Sequence, residues 1–128
     1  MNDMNLASVF DTEVLGGLRE LQDEGEPDLV VELMSLFVED APERHKQIED
    51  AANQGDAKGV ERSAHALKSA SANLGAKELS ASCAALEVLG RGGDLSGLEM
   101  ALLSFRGCYD AALAEAQQII RSGSPEAG

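Results

Sequence analysis

At 128 residues, 44% apolar but only 3% aromatic and without Trp, the chain is long enough for one domain, and its core must be built from Ala, Leu, Val, Ile and Met. Scattered Val and Ile among plentiful Ala, Leu, Glu and Lys exclude an all-β or parallel α/β fold. Twenty-three acidic against ten basic residues, a formal charge of -13, exclude non-specific nucleic-acid binding and an anionic membrane as partner, because both need the opposite sign.

Residues 1–10 read as an N-terminal arm. Its sequence lacks the basic segment and apolar run of a secretory signal. The longest apolar stretch, residues 29–38, is interrupted by Glu32 and Ser35 and is too short to cross a bilayer, so the expected location is the cytoplasm. A first helix is predicted over residues 12–24, capped by Asp11 and weakened by Gly16 and Gly17, each costing about 1 kcal/mol relative to Ala. A second spans 27–53, with Pro27 suited to its first turn and Pro42 kinking or dividing it after Asp40.

The third helix, 56–74, has its apolar stripe at Val60, Leu67 and Leu74, with small Ser63 and Ala70 between them. The fourth, 76–90, repeats the pattern with Leu79, Cys83, Leu86 and Leu89. The fifth, 95–121, continues it through Leu98, Leu102, Phe105, Tyr109, Ala112, Ala116 and Ile119. Short connections make consecutive helices antiparallel. The expected architecture is all-α: an up-and-down antiparallel four-helix bundle with a short N-terminal helix over residues 11–121, then a disordered tail at 122–128. Cys83 and Cys108 form no CxxC pair and are expected as reduced thiols. The acidic surface and the lack of a second seam predict a monomer.

Chemistry concentrates on the third helix. At 100° per residue His65 lies nearly opposite Leu67 and Leu74, so its imidazole is expected in solvent, sharing a face with Arg62, Lys68, Ser69 and Ala72. Residues 57–77 hold four basic residues (Lys58, Arg62, Lys68, Lys77) against one acidic, Glu61. This positive island suits a small anion. A neutral imidazole is a usable nucleophile near pH 7, its natural electrophile here is a phosphoryl group, and Lys68 could supply charge to the phosphoryl oxygens. Small Ala64, Ala66, Ser69 and Ala72 leave room for a second protein to bring that phosphate close. His45, beside Arg44 and Lys46, lacks such a context and reads as a surface residue.

The run from His65 through Leu67, Lys68, Asn73, Leu74, Gly75 and Ala76, followed by Leu79, Cys83 and the Leu86-Glu87 pair, resembles the signature of histidine-containing phosphotransfer (HPt) domains. Pro27 to Val30, Phe37 to Asp40 and Gly55-Asp56 follow the same layout, so the resemblance covers about residues 10 to 120. It implies a four-helix bundle whose exposed histidine accepts a phosphoryl group from a receiver-domain aspartyl phosphate and passes it to another receiver aspartate. By position, His65 is then the phospho-acceptor, reacting through the ring nitrogen farther from the backbone, and Lys68 stabilises the phosphate, with Arg62 and Ser69 as possible support. Ser69 stands where the family usually has Gly. Three roles are open to its hydroxyl: crowding a docked receiver, donating to the phosphoryl group, or bonding back to the His65 carbonyl.

The resemblance also implies receiver docking on an apolar patch of the early helices, for which Met34, Leu15 and Leu18 are the candidates together with Ala64 and Ala72 beside the histidine. The implied partners are receiver domains of a hybrid histidine kinase and of a response regulator. No Gly-rich nucleotide loop occurs, so ATP binding and self-phosphorylation are not expected. No cofactor of its own is expected either, any Mg²⁺ arriving with the receiver. The alternative is a helical adaptor that binds receivers without phosphotransfer; a phospho-accepting domain excised from a chemotaxis-type kinase is a variant of the first reading. A metal-binding bundle fails on spacing, since no two of His45, His65 and the cysteines lie three or four apart on one helix.

Overall fold

Aspartates start three of the helices. Asp11, Asp28 and Asp56 each turn a carboxylate back onto the first backbone N–H groups of the following helix, a cap worth about 1 kcal/mol. The structure, a computed structural model, describes residues 9–22, 25 and 28–122. Its helices are α1 (Thr12–Glu20), α2 (Leu29–Asn53), α3 (Ala57–Asn73), α4 (Lys77–Gly92) and α5 (Leu98–Ser122). Tight turns at Gly55 and Gly75, both at positive φ (68° and 80°), reverse the chain between α2, α3 and α4. Helices α2 to α5 close a four-membered ring, α3 packing on α2 and α4, α5 on α4 and α2, while α1 lies against α2.

The boundaries depart from the sequence expectation at several points, among them α4, which runs to Gly92 rather than 90, and α5, which begins at Leu98 rather than 95. Helix α1 ends at Glu20 rather than 24, its last N–H capped back on Leu18 and Arg19. Helix α2 runs unbroken through Pro42. That ring sits on the exposed face, where water can take up the Val38 carbonyl left without a donor. The expected first-turn Pro27 lies outside the described residues. At the far end Ser122, expected in the tail, closes α5, and residues 123–128 lie outside the described residues.

Spacing explains the core. Val30, Met34, Phe37, Ala41 and Ile48 recur along one side of α2 and meet Val60, Ala64 and Leu67 of α3, Leu79, Cys83 and Leu86 of α4, and Leu102, Phe105, Tyr109 and Ile119 of α5. Burial pushes the Cys83 thiol up to about 12, so it stays protonated. Phe10 joins this core, edge-on to Phe37 at 6.0 Å. The Glu115 carboxylate accepts from the N–H groups of Val9 (3.1 Å) and Phe10 (3.2 Å). Asp11 donates its N–H to the Gly75 carbonyl (3.0 Å) and pairs with Lys77 (2.8 Å). The described end of the expected arm is therefore fastened to α5 and to the α3–α4 turn.

Two further packing features matter. At Gly90 a Cβ would stand 2.6 Å from the Ala57 carbonyl oxygen and 2.6 Å from the Glu61 nitrogen, so α3 and α4 approach backbone to backbone. His45, read as a surface residue, is instead half-buried at the α2–α5 seam. It stacks on Tyr109 (4.3 Å between centroids) and lies 3.4 Å from Glu49, which holds Arg106 of α5 through two 2.8 Å hydrogen bonds.

Candidate functional site

Helix α3 turns its buried stripe inward, and the opposite face carries His65 with 60% of its side chain exposed. The α3–α4 approach at Gly90 brings the next α4 turn within reach of that ring. Glu87, 5% exposed, accepts from His65 Nδ1 at 2.9 Å, binds Lys68 Nζ at 2.6 Å through its other oxygen, and receives Arg91 Nη2 at 2.9 Å. Arg91 also reaches Glu61 at 3.2 Å. One buried carboxylate thus gathers the imidazole and two cations.

This hub fixes the tautomer of the ring. The Lys68 ammonium above all, together with the His65 hydrogen bond, holds the Glu87 carboxyl below its ordinary value despite desolvation. An ionised carboxylate can only accept, so Nδ1 must carry the proton of a neutral His65. The lone pair then resides on Nε2, which has no partner among the described residues. In that tautomer an outward-facing nitrogen lone pair with an ammonium one turn away is equipped to receive a phosphoryl group.

The sign of the Glu87 shift carries an expected result. A carboxyl depressed on folding adds stability above its unfolded value, near 4.5, and loses it as the pH falls through the lower folded value. Thermal midpoints measured from pH 5 downward should therefore drop less steeply for Glu87→Gln than for the wild type. Parallel curves would remove Glu87 from the acid response.

Other expected site residues fall into three groups. Ala72, Ser69 and Arg62 share the exposed face with His65, and Arg62 makes no ion pair among the described residues. The Ser69 hydroxyl does not bond back to the His65 carbonyl; Ser63 and Ser71 make that kind of bond, to the carbonyls of Gly59 and Leu67. The docking assignments of Ala64, Met34 and Leu15 are corrected, since all three are fully buried. Ala64 lies in register with Val60 and Leu67, and Met34 with Val30 and Phe37, so both belong to the core stripes. Leu18 lies at the surface instead, in an apolar groove between α1, α2 and α3 with Leu33, Leu36 and Ala70. Leu36, on the α2 side opposite Met34, is 59% exposed.

The sequence motif points to Glu87 only indirectly. The signal was a carboxylate one turn after Cys83 and three residues before Gly90, on the edge of the buried α4 stripe. Burying a charge there requires partners.

A sequence model of the family described as Hpt domain matches residues 32–119. Over 72 residues the chain is 40% identical to histidine-containing phosphotransfer protein 2 of Arabidopsis thaliana, covering 52% of this chain and 44% of that protein. Over 69 residues it is 36% identical to histidine-containing phosphotransfer protein 5 of the same plant, with the same shares covered. The chain thus spans less than half the length of these curated relatives. The crystal structure of histidine-containing phosphotransfer protein B from Pseudomonas aeruginosa PAO1 superimposes with a TM-score of 0.79 at 28% identity, covering 90% of this chain and 96% of that one.

Proposed function

Since the chain belongs to the Hpt domain family, we propose that it is a phosphorelay carrier of two-component signalling, taking a phosphoryl group onto His65 from one receiver domain and giving it to another. The observation that carries this reading is the Nδ1 to Glu87 hydrogen bond, which leaves Nε2 free on an exposed ring. In the forward step the Nε2 lone pair forms the N–P bond as the bond from phosphorus to the aspartyl oxygen breaks. The aspartate leaves as a carboxylate, and Nδ1 keeps its proton, still donated in a hydrogen bond to Glu87. Lys68 shifts toward the phosphoryl oxygens as their charge develops. Each step reverses when the acceptor is another aspartate.

On this reading the donor is a hybrid kinase receiver and the acceptor a response-regulator receiver, Mg²⁺ enters with the receiver, and the carrier acts as a cytoplasmic monomer without binding ATP. Among the described residues no helix is long and apolar enough to cross a membrane. The test is label transfer: a radiolabelled phosphoreceiver mixed with this chain should label it within seconds to minutes, whereas labelled ATP with Mg²⁺ should not. Labelling by ATP alone would overturn the carrier assignment.

The groove containing Leu18, Leu33 and Leu36 flanks the His65 face on its α2 side and is the proposed seat of the receiver. Leu36→Asp should weaken receiver binding about tenfold, as loss of a central apolar contact does, with the thermal midpoint held because Leu36 is exposed. Met34→Ala should lose about 2–5 kcal/mol of stability through a core cavity. Calorimetric titration and thermal melts separate the two, and unchanged affinity for Leu36→Asp would move the docking site elsewhere.

A further inference from the structure

The cations around His65 differ in their freedom. Lys68 and Arg91 are bound to Glu87, and Arg91 to Glu61 as well. Lys58 and Arg62 are exposed and make no ion pair among the described residues. They precede His65 by seven and three residues, so all three stand on one face of α3, two turns in a row. Lys58, Arg62 and His65 line a shallow depression with Glu61 and Glu87, whose carboxylates are already engaged by Arg91 and Lys68. The charge left for an incoming group is therefore positive and sits on the N-terminal side of the ring.

A chain of formal charge -13 repels any acidic protein on average, and an aspartyl phosphate is itself strongly anionic. Attraction must come from local cations that are not already satisfied. We propose that Lys58 and Arg62 recruit and orient the anionic active-site face of the phosphorylated receiver, acting on encounter, while Lys68 serves the transfer step. The proposal rests on the phosphorelay reading. The guanidinium of Arg62 presents a planar fork to carboxylate or phosphate oxygens, and the ammonium of Lys58 adds a point charge one turn farther out. Such contacts chiefly raise the association rate and decay with salt.

The experiment is rapid-quench transfer from a receiver phosphorylated on its aspartate with acetyl phosphate, comparing the wild type with Lys58→Glu/Arg62→Glu over a range of receiver and salt concentrations. The variant is expected to lose about tenfold or more in the second-order rate constant at low salt. Its salt dependence should flatten, its rate at saturating receiver should stay within about twofold, and Arg62→Lys should recover part of the loss. An unchanged second-order constant would overturn the proposal. So would an equal fall in the saturating rate, which would make these residues contacts to the phosphoryl group during transfer. A wild-type chain that takes no label would overturn the phosphorelay reading itself.

Discussion

His65→Gln should abolish labelling by a phosphorylated receiver, a loss of at least about a thousandfold, equivalent to about 4 kcal/mol in the barrier. The amide of Gln is close in size and polarity to the ring but offers no nucleophilic lone pair, so Lys68 and Glu87 would remain with nothing to assist. Because the imidazole is 60% exposed, its replacement should leave the thermal midpoint nearly where it was. His45 cannot substitute: it is half-buried, stacked on Tyr109, and its Nε2 faces Glu49. Scintillation counting of the separated proteins, with a melt as control, checks both halves. Label retained by a folded variant would put the acceptor elsewhere.

Gly90→Ala should be the most damaging single-methyl change. Glycine in a helix normally costs about 1 kcal/mol relative to Ala, so the exchange ought to stabilise. At this position the new Cβ would stand 2.6 Å from backbone atoms of Ala57 and Glu61, which no side-chain rotation can relieve. We expect a loss of about 2–3 kcal/mol as α3 and α4 are forced apart, with a thermal midpoint roughly 10 °C lower. Transfer should fall as well, because Glu87 lies one turn before the clash. Gly107→Ala on α5, with nothing within 4 Å of its Cβ, should shift the midpoint the other way. If both variants melted alike, the close approach would have no energetic meaning.

The helices were legible because each writes one apolar stripe at helical spacing and three begin at an aspartate. His65 was legible as exposed because it falls opposite Leu67 and Leu74. Other features needed the third dimension. Nothing in the local pattern tells which side of the wide α2 arc faces inward; the register of Val30, Phe37, Ala41 and Ile48 decides it and takes Met34 along. The partnership of Glu87 with His65 joins residues 22 apart on different helices, and it depends on a glycine whose role is visible only once the backbones are seen to touch. Phe10 looked like part of an arm because its partners, Phe37 and Glu115, are distant in sequence.

The three donors on Glu87 give that carboxylate a reserve of valence. On the proposed carrier reading, a Lys68 that turns toward an arriving phosphate leaves the carboxylate still held by Arg91 and by the imidazole proton, so its buried charge keeps two donors.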